Sequence, residues 1–147
     1  MFRFRLQSVL DVKIMQEDMA QSNFSNQQRV LDKEKEDLLA IQRHKKALID
    51  TLRDTRGKRV SLSELVLHAV GVEQCMKSEE RQAGRVREAA AESDRQREAL
   101  LEAAQKRKAM EVLKTKMQQK HQFDADLLER AAIDEMAIVR HQRREED

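Results

Sequence analysis

The sequence contains no proline, no tryptophan and no tyrosine, and it has only three glycines and four phenylalanines among 147 residues. Because proline is absent, no residue of that kind breaks a helix. Because aromatic side chains are scarce, the chain has little with which to fill the broad core of a β-sandwich or a doubly wound sheet. These absences favour long helices, whose narrow contact seams need only aliphatic side chains.

Cysteine and long apolar runs are also nearly absent. Cys75 stands alone, so it can form no intramolecular disulfide and no cysteine metal cluster, as expected in a reducing compartment. The N-terminal residues carry charges every few positions and lack the apolar region of a signal peptide. No stretch of about 18 uncharged apolar residues occurs, so we predict a cytoplasmic chain without direct membrane insertion.

The chain is rich in charged residues. Charged residues make up 38% of it, against about 25% in an ordinary globular domain, which is typical of long helices and coiled coils. The 29 basic and 27 acidic residues nearly cancel. The overall balance therefore does not indicate a nucleic-acid binder or a disordered polyelectrolyte.

The first part of the chain carries a heptad pattern, the seven-residue repeat by which two helices pack along a seam. The seam positions are Leu10, Glu17, Phe24, Leu31, Leu38, Lys45 and Leu52, with companions at Leu6, Lys13, Ala20, Gln27, Glu34, Ile41 and Leu48. Polar residues interrupt both rows. We therefore expect a helix that is only marginally stable without a partner helix.

The second part carries an apolar pattern that changes along its length. Residues at spacings of three and four first occupy Leu65, Ala69, Val72, Met76, Ala83, Val86, Ala90, Leu100 and Ala104. A second row, displaced by one residue, follows at Met110, Leu113, Met117, Leu127, Ala131 and Ile138. A straight seam cannot follow such a displacement without local over- or underwinding, so we expect the distal part to face a different surface.

Between the two patterns lie the signals of a helix end and a helix start. Gly57 follows Arg53 and Arg56, as expected of a left-handed cap after cations that complement the helix dipole. Ser61 and Glu64 have the spacing of a capping box, in which each side chain bonds the backbone amide of the other residue. A link this short normally returns the chain antiparallel.

The predicted fold is all-α: a long antiparallel two-helix coiled coil, or helical hairpin, formed as a single domain by residues 1–147. We place the first arm at about 4–56, the bend at 57–61 and the second arm at about 72–145. Gly71 favours a short tip helix over residues 62–70. Because the second arm is the longer one, its C-terminal part should lack a partner within the hairpin.

No pattern in the sequence indicates catalysis or a cofactor. There is no Gly-rich phosphate loop, no G-x-S-x-G and no H-E-x-x-H motif. The four histidines are too scattered to share a metal within one helix, and two paired helices offer no concave pocket. We predict a protein that is not an enzyme and that uses no metal or cofactor.

Residues 106–121, KRKAMEVLKTKMQQKH, are strongly basic, with six cations and a single acid. The cations that we single out are Lys106, Lys108, Lys114 and Lys116. This basic stripe is either a solvated helix face or a docking surface for an acidic partner. A nucleic-acid interface would depend on phosphate contacts alone, because no aromatic residues interleave the cations, and we predict no nucleic-acid partner.

Three segments resemble the FliJ family of flagellar export stalk proteins in order and spacing. They are FRFRLQSVLDVK near the N-terminus, KRKAMEVLKTKM in the basic stripe and AAIDEMAIVRHQRRE near the C-terminus. The length, the lack of proline and the central bend fit as well. The resemblance implies an antiparallel two-helix coiled coil with a short helix near its tip. It also implies a cytoplasmic component of the flagellar type III export apparatus, associated peripherally with the inner face of the cell membrane.

The resemblance implies partners too. In the family, one part of the molecule sits in the central hole of a hexameric export ATPase, and the tip meets the cytoplasmic ring of the membrane export gate. Export chaperones are further partners that the resemblance implies. The C-terminal motif falls on Asp134, Glu135, Ala137, Arg140 and Arg143, and the N-terminal motif on Phe2, Phe4, Leu6 and Leu10. At the tip, where family members often have an aromatic residue, this sequence has Leu62, Leu65, His68 and Val72.

Two other functions stay open at this point. A virulence-type secretion stalk would have the same architecture. An unrelated scaffold coiled coil is the second alternative, although a homodimeric scaffold would not usually need the bend at Gly57 and Ser61.

Overall fold

The computed structural model describes residues 2–55 and 57–145, with side chains described as far as Ile138. Within these residues the chain forms two helices and no strand: α1 covers Gln7–Asp54 and α2 covers Leu62–Glu145. The predicted all-α helical hairpin is confirmed. Two compact units can be distinguished, a bend unit of Asp18–Leu101 and a terminal unit of Met1–Glu17 with Glu102–Asp147. That residues 1–147 act as a single domain stays a prediction.

The ends of the two helices at the bend follow the predicted local chemistry. Gly57 has a φ of 90°, a left-handed conformation that residues with a Cβ rarely adopt. The Glu64 amide donates to Ser61 Oγ at 3.2 Å, and the Ser61 amide donates to Glu64 Oε2 at 3.3 Å, which completes the capping box. Neither signal depends on residues distant in the sequence.

A separate tip helix over residues 62–70 does not form, because α2 continues through Gly71 without a break. Among the described residues only Gly57 is a glycine with positive φ, so Gly71 keeps a helical backbone. Leu48 packs over it, since a Cβ at position 71 would lie 3.5 Å from Leu48 Cδ1. Glycine within a helix costs about 1 kcal/mol relative to alanine, which packing against a partner helix can offset. The second arm therefore begins at Leu62 and not near residue 72.

In the bend unit, the contacts between α1 and α2 show that the two helices run antiparallel. Gln27 Nε2 donates to the Ala89 carbonyl at 3.3 Å, whereas Leu48 meets Gly71. As the residue number on α1 rises, the number of its partner on α2 falls.

The heptad seam predicted for α1 is confirmed by the burial of its side chains. In the bend unit, Leu31 is buried and the other seam positions from Ala20 to Leu52 are half-buried. One polar seam residue, Lys45, forms an ion pair with Glu79 of α2. The interrupted pattern therefore marks the contact face correctly, although few of its side chains are fully buried.

On α2, one row of the predicted seam is wrong by one residue. Met76 is 57% exposed, whereas Cys75 is half-buried; Ala83 is half-buried, whereas Gln82 is buried. Ala89 is likewise more buried than the predicted Ala90, and the predicted Leu65 and Ala69 are exposed. The contact face thus follows Cys75, Gln82 and Ala89 at steps of seven.

Hydrogen bonds explain why polar side chains occupy that face. Gln82 Nε2 donates to the backbone carbonyl of Glu34 at 3.0 Å and also to its carboxylate. Gln28 Nε2 donates to Ser93 Oγ at 2.9 Å. Buried polar groups that find partners across the seam do not incur the cost of an unsatisfied group. A pattern of apolar residues alone cannot reveal them.

The predicted displacement of the second row is also wrong. In the terminal unit, Arg107, Met110 and Lys114 are half-buried, whereas Leu113 is 39% exposed. Met110 lies four whole heptads after Gln82, so both belong to one seven-residue frame. Because some positions of this frame are polar, such as Gln82, the pattern of apolar residues did not show that the frame is continuous.

The terminal unit is held by its N-terminal residues. Phe4 and Leu10 are buried, at 6% and 4% exposure. The Phe2 ring lies 5.6 Å from the His121 ring in an edge-on arrangement, as aromatic pairs prefer. A few large side chains therefore anchor this short segment on α2.

Farther along α2, every described side chain from Thr115 to Ile138 is exposed. Phe123 and Leu128 are 63% and 74% exposed. This agrees with the expectation that the C-terminal part of the second arm lacks a partner helix.

None of the helical segments that the structure describes combines the length and the hydropathy that a membrane span requires.

Candidate functional site

The predicted tip residues divide between an exposed surface and the space between the helices. Leu62 and Leu65 are 78% and 38% exposed, whereas His68 and Val72 are half-buried. That these four residues bind a partner stays a prediction.

Three exposed aliphatic residues of the tip were missed by sequence reasoning. Val66, Leu67 and Val70 are 54%, 72% and 44% exposed. They lie outside the predicted seam row of α2 as well as outside the observed one, so their position off the seam was the signal that could have found them. With Leu62, they form what we call the tip patch: Leu62, Val66, Leu67 and Val70.

Beside the tip patch, an open groove of about 640 Å³ lies between α1 and α2 of the bend unit. Its lining includes Ile41, His44, Leu48, His68 and Cys75. The groove is open to solvent.

Two histidines and one thiol line this groove. Within the part of the chain that the structure describes, no cluster of three or more histidine, cysteine, aspartate or glutamate side chains could hold a metal ion. The free thiol of Cys75 is half-buried.

The cations of the predicted basic stripe do not share one face. Lys114 Nζ donates to Gln7 Oε1 at 2.9 Å, and Lys106 pairs with Glu102 on its own helix at 2.6 Å. Lys108 and Lys116 are exposed. One part of the stripe thus contributes to the packing of the terminal unit, and only the remainder is available to an acidic partner.

Arg107, which sequence reasoning did not select, is the best-connected cation of this segment. It pairs with Glu17 of α1, partly through Nη2 and Oε1 at 3.4 Å, and with Glu111 through Nη1 at 2.7 Å. Hydrogen bonds from Arg107 to Glu17, and then to Glu111, raise the pKa of the guanidinium, which stays charged throughout the physiological range. Arg107 therefore stabilises the terminal unit by linking α2 to Glu17 of α1.

The structure describes the side chains of only part of the C-terminal motif. Asp134 and Glu135 are exposed on α2. Arg140 and Arg143 lie outside the residues whose side chains the structure describes. Of the N-terminal motif, Phe4 and Leu10 are buried and serve packing, whereas Leu6 is 39% exposed.

The structure thus presents two exposed surfaces on paired helices. Comparison with known proteins shows the family of the chain. The model of the family described as "Flagellar FliJ protein" matches residues 1–146. The chain belongs to the FliJ family. FliJ proteins are structural components of the type III export apparatus, which agrees with a molecule built for contacts with other proteins.

The fold of this FliJ-family chain is similar to that of a YscO homolog from Chlamydia trachomatis. The two structures superpose with a TM-score of 0.68 at 19% sequence identity, over 100% of this chain and 99% of the other. At this identity the likeness concerns the fold. Among individual curated proteins, none matches the sequence significantly.

Proposed function

We propose that the chain is a stalk component of the flagellar type III export apparatus that links the export ATPase hexamer to the cytoplasmic ring of the membrane export gate. Membership of the FliJ family supports the choice of apparatus. The observation that carries the proposal is the run of α2 from Thr115 to Ile138, in which every side chain is exposed. It includes Leu128, Ile133 and Met136 at 74%, 52% and 57% exposure. Exposed apolar surface of this kind usually marks a protein-binding site.

In this proposal the two exposed surfaces have different partners. The distal part of α2, with Asp134, Glu135, Arg140 and Arg143, enters the ATPase ring. The tip patch meets the export gate, and Lys108 and Lys116 contact acidic surfaces of either partner or of export chaperones. The chain has no catalytic role of its own. It is cytoplasmic, and the gate holds it at the inner face of the membrane.

Deletion of residues 124–147 tests the assignment of the distal end. The truncated chain should no longer stimulate ATP hydrolysis by the partner ATPase, while circular dichroism shows that the remainder is still helical. The matched control is Leu62→Asp with Val66→Asp in the tip patch, which should keep the stimulation and lose binding to the isolated cytoplasmic domain of the gate. If the truncated chain stimulates normally and the tip variant does not, the two ends have been assigned in reverse.

A stalk of a virulence-type secretion system is the second candidate, because the fold is similar to that of a YscO homolog. The two candidates differ in the enzyme that they activate. Titration of the chain against the flagellar ATPase and a virulence-type ATPase should show stimulation of the flagellar enzyme at lower concentration; the opposite order would support the second candidate.

A further inference from the structure

The exposed part of α2 carries a stripe of residues whose spacing is symmetric about Leu127. It consists of seven exposed residues at steps of three and four: Lys116, Lys120, Phe123, Leu127, Ala131, Asp134 and Ile138. Counted from Leu127, the others lie at four, seven and eleven residues in both directions. Such steps keep all seven on one face of a helix. We call this set the symmetric stripe.

The symmetric stripe is not the face of α2 that the N-terminal residues cover. Lys114 and His121 are the positions that meet Gln7 and Phe2. At about 100° of rotation per residue, these positions lie roughly 120° to 140° around the helix from Leu127. Packing within the terminal unit therefore leaves the stripe uncovered.

The charges of this segment distinguish the two ways in which a second helix could lie on it. In an antiparallel copy centred on Leu127, Lys120 faces Asp134. Asp124 and Arg130, three residues on either side of the centre, come level with each other beside the stripe. In a parallel copy each of these charges would face its like, which is unfavourable.

The three central apolar residues fit the antiparallel arrangement too, and the outermost positions place Ile138 opposite Lys116. Leu127 would meet Leu127 of the second copy, and Phe123 would meet Ala131, so that a large side chain faces a small one. Two-helix seams pack in this way, with side chains of one helix inserted between those of the other.

We propose that the symmetric stripe pairs two copies of this chain, antiparallel about Leu127. The paired segment, residues 116–138, is about 35 Å long, or roughly three heptads, which is short for a coiled coil. The association is therefore weak, and it depends on salt because its charge pairs are exposed. The pairing is inferred without the proposed export function, but the stripe includes Lys116 and Asp134, which that proposal assigns to partners, so self-pairing and ring binding exclude each other.

Disulfide trapping tests the arrangement in the full chain, with Cys75→Ala to remove the native thiol. Only a residue at the two-fold centre meets itself, so Leu127→Cys should form covalent dimers under mild oxidation at least ten times faster than Leu128→Cys. Ala131→Cys alone should be as slow as Leu128→Cys, but mixed with Phe123→Cys it should form dimers rapidly. Equal rates for Leu127→Cys and Leu128→Cys would overturn the proposal, as would fast self-crosslinking of both Leu127→Cys and Ala131→Cys, which indicates a parallel pair.

Charge reversal gives a second, independent measurement. In the Leu127→Cys background, Lys120→Asp should slow dimer formation about tenfold, and the added change Asp134→Lys should restore it to within threefold. Circular dichroism checks that the variants keep the same helical content. If the double reversal leaves a fully helical chain as slow as Lys120→Asp, the second copy does not bind in this register, and the stripe is left for another protein.

Discussion

The bend unit and the terminal unit hold their helices together in different ways. The most buried side chains of the bend unit include two polar residues, Gln82 and Ser93, at 5% and 3% exposure, and both have hydrogen-bond partners on α1. The most buried side chains of the terminal unit are apolar, Phe4 and Leu10. In the bend unit, polar residues that bond across the helices are thus among the buried ones. In the terminal unit the buried residues are apolar, and the polar contacts of Lys114 with Gln7 and of Arg107 with Glu17 are only half-buried.

The difference follows from the lengths of chain involved. More than thirty residues of α1 belong to the bend unit, so several of its seam positions can be polar without loss of the pairing, and each polar contact favours one register over its neighbours. In the terminal unit, only residues 2–17 are available to pack against α2. In this short contact, large side chains and the ion pair of Glu17 with Arg107 hold the N-terminal residues against α2.

Removal of a buried leucine from each unit should have the largest effect. Leu10→Ala and Leu31→Ala should each lower the free energy of unfolding by about 2 to 4 kcal/mol, because both leave a cavity in a narrow seam. Hydrogen exchange should show loss of protection in the terminal unit for Leu10→Ala and in the bend unit for Leu31→Ala. Leu39→Ala, at an exposed position, is the control and should change stability by less than about 0.5 kcal/mol. Loss of protection over both units in either leucine variant would show that the two do not open separately.

Truncation of a buried glutamine should have a smaller effect that is specific to the bend unit. Gln82→Ala should lower the free energy of unfolding by about 1 to 3 kcal/mol, since it removes the cross-helix donor to the Glu34 carbonyl and carboxylate. Urea denaturation measures the change. Gln96→Ala is the matched control, because Gln96 donates to Glu92 of its own helix and not across the seam. Equal losses for the two variants would contradict a special role for the cross-seam bond.

The smallest effect on stability should come from lowering the pH. A hydrogen bond from Lys45, and then one from Gln42, lower the pKa of Glu79 below its ordinary value of 4.5. The stabilisation is therefore present above about pH 4.5 and is lost as the pH falls through the lowered pKa of the folded state. Glu79→Gln should be less stable than the parent chain at pH 7, and the difference between their melting temperatures should shrink towards pH 3. A difference that stays constant over this range would show that the ion pair does not contribute.

Much of the fold could be predicted because its signals are local. The capping box of Ser61 and Glu64 and the positive φ of Gly57 depend only on residues a few positions apart. The seam of α1 was found because its apolar residues are regular enough to show the heptad through the polar interruptions.

The candidate surfaces were harder to predict, since exposure depends on the partner helix. Leu62 and Leu65, which were predicted to bind a partner, are exposed, although Leu65 had also been placed in the seam; Val66, Leu67 and Val70 were missed. Lys114 was expected on an open stripe and instead donates to Gln7, more than a hundred residues away in the sequence.

The sequence by itself determined that this chain is helical, where it turns and which face of α1 packs, because proline-free amphipathic stretches and capping residues act over one or two turns. Only the tertiary structure decided which face of α2 packs and that Gly71 lies within a continuous helix. Those outcomes depend on partners supplied by α1: Glu34 and Gln28 bond the buried Gln82 and Ser93, and Leu48 packs over the glycine. Hydrogen bonds and contacts between residues far apart in the chain leave no periodic trace in hydropathy, so no pattern along one helix could have revealed them.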